Sequence, residues 1–108
     1  MEENNLYGIS EKDLMVVLRI LKSNRNIDEI ILFGSRAKGK FLSGSDLAIA
    51  LKGINLGLKD ILDAKVELDN QILPCKVDLV LYNRINEPAL IEHIDRVGIM
   101  LYNRKQLN

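Results

Sequence analysis

The residues with the clearest chemical potential lie in IILFGSRAKGKFLSGSDLAIAL, where a polar loop joins two apolar runs. Gly34 and Ser35 open the loop, and ten further residues separate them from Asp46. A glycine lets backbone amides approach a phosphate closely, and a serine adds a hydroxyl donor beside them. Arg36 brings positive charge to the same point. The loop therefore predicts a phosphate site followed by a carboxylate.

A shorter motif gives a competing interpretation of the same loop. The letters GSRAKGK, from Gly34 to Lys40, match the phosphate-binding pattern G-x-x-x-x-G-K. That pattern needs Ser or Thr next, to hold Mg²⁺, and a long helix after it. Here the next residue is Phe41, and Gly44 interrupts any such helix. This second interpretation is therefore disfavoured.

A second aspartate stands inside a later apolar run. Asp78 lies in CKVDLVLY, where a charge must be paired, metal-bound or exposed. His93, the single histidine, borders an apolar helical stripe and is interpreted as an ordinary surface or half-buried residue. Cys75 is interpreted as a small core residue, since nothing in the sequence supplies an activating base. Asp78 is thus the more informative of the three.

Hydrophobic periodicity predicts the elements that must position these residues. Apolar residues at helical spacing indicate helices at 11–23, 57–70 and 88–97. Short apolar runs indicate strands at 27–33, 46–52, 75–82 and 99–102. The fold class is therefore α/β (α+β), a mixed sheet of about four strands with helices packed largely on one face. Residues 1–108 are expected to form one domain, with a polar tail from about 103 that frays.

Composition limits the partners and the compartment. The chain has 15 basic and 15 acidic residues and only 5% aromatics, which disfavours binding to duplex or single-stranded nucleic acid. One cysteine allows no internal disulfide, and no apolar run approaches the roughly 20 residues of a membrane span. The N-terminus has no features of a signal peptide. We therefore expect a cytoplasmic chain without membrane or nucleic-acid partners.

The segments FGSRAKG, GSD and KVDLVLY, together with the ten-residue spacing, resemble the minimal nucleotidyltransferase family of the DNA polymerase beta-like superfamily. That pattern reads Gly-Ser, about ten residues, Asp-x-Asp, and a third carboxylate on a later strand. The resemblance covers the chain from about Leu14 to Tyr102. It implies a nucleotidyltransferase-like mixed sheet and transfer of a nucleoside monophosphate, AMP from ATP, to a hydroxyl with Mg²⁺ as cofactor.

The resemblance also implies roles for individual residues. Gly34, Ser35 and Arg36 would bind the nucleotide. Asp46 and Asp78 would be the catalytic residues and would ligate Mg²⁺, with Asp78 helping to deprotonate the attacking hydroxyl. The acceptor that carries this hydroxyl is not indicated by the sequence.

Position 48 departs from the resembled pattern, because the second aspartate of Asp-x-Asp is Ala48 here. Asp46 and Ala48 share one face of a strand, so a carboxylate is missing where metals should bind. We expect impaired catalysis. The resembled family is commonly paired with a HEPN-type helical protein, often as an antitoxin that AMP-modifies it. The alternative function is therefore a non-catalytic binding module or antitoxin that holds such a partner, and an oligomer is compatible with both.

Overall fold

The computed structural model describes residues 7–106, which form four α-helices around a four-stranded mixed sheet. The predicted fold class is confirmed. The elements in chain order are α1 (Glu11–Lys22), β1 (Glu29–Phe33), α2 (Gly34–Lys38), β2 (Leu47–Lys52), α3 (Leu58–Asp69), β3 (Val77–Leu81), α4 (Pro88–Val97) and β4 (Ile99–Asn103). Single 3₁₀ turns follow β3 and β4, at Tyr82–Arg84 and Arg104–Gln106.

The helices begin where local chemistry favours a start. Ser10 caps α1, since its hydroxyl oxygen accepts a hydrogen bond of 3.0 Å from the amide of Asp13. Pro88 opens α4, where its missing N–H has no partner to lose. Among residues 7–106, no helix is long and apolar enough to cross a membrane.

The sheet has the strand order β3-β2-β1-β4. Strand β1 is antiparallel to β2 and β4, whereas β2 and β3 are parallel. The carboxyl end of β1 therefore lies at the same edge of the sheet as the amino ends of β2 and β3. The segments that carry Gly34, Asp46 and Asp78 meet at this end of the strands, which we call the loop edge of the sheet.

Both faces of the sheet are covered. Alternate residues of the strands, among them Leu32, Leu47 and Ile49, are fully buried with α1 and α3. The other face carries a smaller cluster of Ile31, Phe33, Ala50 and Ile94, the last from α4. The two twelve-residue helices thus share one face, as predicted, and α4 lies against the opposite face.

The ends of the predicted elements lie within two residues of those in the structure, and the structure gives local reasons for two of the differences. The first strand begins at Glu29, two residues late, because the amide of Ile27 closes a turn on the carbonyl of Asn24 at 3.1 Å. The prediction of a frayed tail is wrong for residues 103–106. The amide of Arg104 donates to the carbonyl of Asp28 at 2.8 Å, and the two side chains form an ion pair at 3.4 Å. The last two residues of that predicted tail lie outside the described residues.

Candidate active site

The predicted phosphate loop starts at the end of β1. Gly34 leads into α2 with a φ of +78°, a conformation that favours glycine. A Cβ atom at Gly34 would lie 3.3 Å from the Cβ atom of Ala48 on the adjacent strand, which is a tight contact. Ser35 follows with an exposed side chain. Conformation and space thus both favour glycine here, and the serine hydroxyl is accessible to a ligand.

The two predicted carboxylates lie on adjacent strands at this edge. Asp46 immediately precedes β2, and Asp78 is the second residue of β3. Both side chains are exposed, and neither carboxylate forms a hydrogen bond or an ion pair with any residue in 7–106. The structure therefore leaves both carboxylates accessible, while their role as metal ligands stays a prediction.

Ala48 lies between these carboxylates and the loop. Its partners in register are Phe33 on β1 and Asp78 on β3. Leu47 is fully buried against the α1 and α3 face, so Asp46 and Ala48 lie on the other face of β2. A carboxylate at position 48 would point to the same side as Asp46 and Asp78, directly beside Gly34.

Arg36 is buried, with 3% of its surface exposed, and it joins the start of the loop to its end. Its Nε and Nη2 donate to the carbonyl of Ser45 at 3.0 and 2.8 Å, and its Nη1 donates to the carbonyl of Tyr7 at 2.7 Å. The ring of Phe41 lies 5.2 Å from the guanidinium carbon. These contacts fix the residue before Asp46. The predicted contact of Arg36 with nucleotide is untested, and here the guanidinium faces the protein backbone.

His93 contacts the loop directly, which sequence reasoning missed. The amide of Gly34 donates to His93 Nε2 at 3.1 Å. The imidazole also packs edge-on against Phe33, with ring centroids 6.1 Å apart and planes at 79°. The hydrogen bond joins residues 59 positions apart, so the sequence carries no signal for it beyond the presence of a single histidine.

A family model, "Polymerase beta, Nucleotidyltransferase", matches residues 16–107. The chain belongs to this nucleotidyltransferase family. The match includes the loop, both aspartates and all four strands, which confirms the family predicted from the Gly-Ser loop and its spacing. No curated protein matches the chain.

Solved structures of nucleotidyltransferases and toxin–antitoxin complexes share the fold. A chain of a toxin–antitoxin complex with AMP-PNP is 24% identical, with a TM-score of 0.67 over 89% of this chain and 75% of that one. A candidate minimal nucleotidyltransferase is 25% identical, with a TM-score of 0.62 over 82% and 92%. The complex of a tri-AMPylated HEPN toxin from Shewanella oneidensis with its MNT antitoxin gives 22% identity and a TM-score of 0.57 over 89% and 71%.

A cavity of about 520 Å³ opens beside the two aspartates of this nucleotidyltransferase domain. Asp46 and Asp78 line this cavity together with Cys75 and with Lys65 of α3, whereas Gly34 and Ser35 do not line it. The volume is in the range of small-molecule sites. Burial raises the pKa of the Cys75 thiol, although the nearby Arg36 guanidinium acts in the opposite direction. This thiol is therefore not activated, in agreement with its interpretation as a structural residue.

Nucleotidyltransferases use divalent metal ions, and the donor set at this edge suits one that shares its coordination with substrate. Mg²⁺ is usually held by one or two carboxylates together with phosphate and water oxygens. Asp46 and Asp78 supply two carboxylates. Within residues 7–106, no group of three or more His, Cys, Asp or Glu side chains is placed to hold a metal ion. These residues thus suit a metal ion that is also bound by phosphate oxygens of the substrate. They do not form a site in which protein side chains supply all the ligands.

Proposed function

We propose that this chain binds ATP with Mg²⁺ at the loop edge of the sheet and transfers AMP to a hydroxyl group, at a rate reduced by Ala48. The observation that carries the proposal is the meeting of Gly34-Ser35, Asp46 and Asp78 at one edge, with both carboxylates unpaired within the described residues. These residues are far apart in sequence and close only through the strand order. We place the activity in the cytoplasm, where the single free Cys75 is stable.

We assign the roles of the residues from the family resemblance together with their positions in the sheet. The Ser35 hydroxyl would donate to a phosphate oxygen, and Asp46 and Asp78 would hold Mg²⁺. The bound metal would neutralise phosphate charge and favour ionisation of the attacking hydroxyl. Asp78, on the outer strand, accepts the proton of this hydroxyl. The oxygen of the acceptor hydroxyl forms the new bond to the α-phosphorus of ATP as the bond from this phosphorus to pyrophosphate breaks. Pyrophosphate therefore leaves on the side of Gly34 and Ser35.

Ser35→Ala is expected to weaken ATP binding in the presence of Mg²⁺ by about tenfold or more. One hydrogen bond to a charged group contributes about 1.5–3 kcal/mol, and ~1.4 kcal/mol is tenfold in affinity.

Asp46→Ala should leave Asp78 as the one remaining candidate ligand and abolish the dependence of binding on Mg²⁺. Calorimetric titration with ATP, with and without Mg²⁺, measures both effects.

Lys38→Ala is a matched control for these titrations, because Lys38 is exposed on the same short helix. Its loss should change the affinity less than the loss of Ser35. Strong binding of ATP without Mg²⁺ that is also insensitive to Ser35→Ala would contradict the proposed nucleotide site.

A second candidate function is that of a binding module or antitoxin that holds a HEPN-type helical protein without modifying it. The outer surface of α3 supports this candidate. Leu58, Leu62 and Val66 recur every four residues on this helix and are 59%, 54% and 61% exposed. An apolar stripe of this kind is typical of a docking surface for another helix. The HEPN complex among the structural relatives supports a HEPN-type protein as the partner.

Leu62→Glu is expected to abolish co-purification of a HEPN-type helical protein encoded beside this chain. A charge in the middle of the α3 stripe would be buried without a partner on docking. The matched control is Lys59→Glu, since Lys59 is an exposed charged residue on the same helix. Co-purification that survives Leu62→Glu would exclude the α3 stripe as the contact. Labelled AMP on the co-purified protein would favour the enzyme over the binding module.

A further inference from the structure

We propose that His93 is a positioning residue that fixes Gly34, so that Gly34 shapes the nucleotide loop without donating its own amide to phosphate. The part of this inference that concerns phosphate rests on the proposed function. The part that concerns His93 and Gly34 rests on the structure of the free chain. Under this proposal, Gly34 acts through its backbone conformation and its lack of a side chain, and not as a hydrogen-bond donor to phosphate.

The amide of Gly34 is already engaged. A backbone N–H has one hydrogen, and here it points at His93 Nε2 over 3.1 Å, within the normal range of hydrogen bonds. Because Nε2 is the acceptor, the hydrogen of the neutral imidazole is on Nδ1. The same N–H cannot donate fully to a phosphate oxygen while this bond persists.

The imidazole is itself held in place. His93 is half-buried and packs edge-on against Phe33, the residue before Gly34. Its neighbour Ile94 is 2% exposed and anchors α4 on the sheet. Gly98, after α4, approaches β1 so closely that a Cβ atom there would lie 2.7 Å from Cγ2 of Ile31. Helix α4 is thus locked on β1, and His93 connects this locked helix to the loop.

Two other properties of Gly34 then explain its presence. Its φ of +78° turns the chain out of β1, and its missing side chain avoids a 3.3 Å contact with Ala48. The exposed Ser35 hydroxyl remains available as a donor to phosphate. Loss of the His93 acceptor would leave the turn at Gly34 without this hydrogen bond. The orientation of the Ser35 hydroxyl would then no longer be fixed.

A nitrogen–nitrogen scalar coupling across the hydrogen bond tests the contact directly. In the free ¹⁵N-labelled chain, we expect a coupling between the Gly34 amide and His93 Nε2, and the hydrogen on Nδ1. Both should persist when ATP and Mg²⁺ are added to saturation. Absence of the coupling in the free chain, or its loss on ATP binding, would overturn the proposal.

Variants of His93 test the consequence for nucleotide binding. His93→Gln keeps an acceptor oxygen near the position of Nε2 and should bind ATP within about twofold of the parent chain. His93→Leu removes the acceptor and should weaken binding about fivefold, the effect of one ordinary hydrogen bond. Glu92→Gln is the matched control, since Glu92 is exposed on the same helix. Thermal melts show whether each variant is folded at the temperature of the titration.

The outcomes separate the two proposals. Equal or tighter ATP binding by His93→Leu, or no recovery with Gln, would overturn the positioning role. If the parent chain binds no ATP, the proposed nucleotide site fails, and the coupling in the free chain alone then decides whether His93 fixes Gly34.

Discussion

Ala48→Asp is expected to raise the rate of nucleotidyl transfer by about 100-fold or more. The new carboxylate would lie opposite Asp78 in register and on the same face of β2 as Asp46. It would complete a set of three ligands for the metal ions, whose charge stabilisation is worth several kcal/mol, and each ~1.4 kcal/mol is tenfold in rate. Transfer of labelled AMP from ATP to a co-purified helical partner measures the rate.

Ala48→Asn is the matched control for this prediction, because it has the size of aspartate without its charge. Its rate should stay near that of the parent chain. A second control uses stability, since Ala48→Asp should melt at a lower temperature in chelator, where the clustered carboxylates repel one another. If the parent chain and Ala48→Asp transfer AMP equally fast, position 48 is not a metal-ligand position.

Arg36→Met is expected to lower the free energy of unfolding by about 2–4 kcal/mol. The variant keeps an apolar stem but removes the three hydrogen bonds that the buried guanidinium donates to the carbonyls of Ser45 and Tyr7, and a hydrogen bond from a charged group contributes about 1.5–3 kcal/mol. For a domain of this size, such a loss lowers the melting temperature by roughly 10–25 °C. Thermal unfolding followed by circular dichroism measures it.

Lys38→Met provides the comparison for Arg36→Met, because it removes an exposed cation from the same short helix. Its melting temperature should change little, since isolated surface charges contribute less than about 1 kcal/mol. Equal melting temperatures for Arg36→Met and the parent chain would show that the loop holds its shape without the guanidinium.

Much of the fold could be predicted because its signals are local. Helical spacing placed α1, α3 and α4 to within a residue or two, and short isoleucine- and leucine-rich runs placed the four strands. Their order in the sheet, and the way Gly34, Asp46 and Asp78 meet, are not properties of any one segment. The family resemblance predicted that these residues act at one site, whereas the strand order and the pairing that bring them together come from the structure.

Arg36 and His93 show what local sequence does not reveal. An arginine in a polar loop looks like a solvated cation or a phosphate ligand, because the carbonyls that it binds come from Tyr7 and Ser45, outside its own helix. A histidine on the border of an apolar stripe looks like an ordinary surface residue. His93 can accept the hydrogen bond of the Gly34 amide only because α4 packs against β1, and this is a tertiary contact between segments that are distant in sequence.

The two carboxylates of the site come together only when β3 pairs with β2 in parallel. Strands β1 and β2 are antiparallel neighbours in sequence, and we expect them to pair before β3, because the parallel pairing of β3 with β2 needs the crossover through α3. Asp46 belongs to the early pair and Asp78 to this late strand at the edge of the sheet. A ligand that bridges the two carboxylates would therefore clamp the edge strand on the sheet, and the capacity to bind it marks completed assembly of the chain.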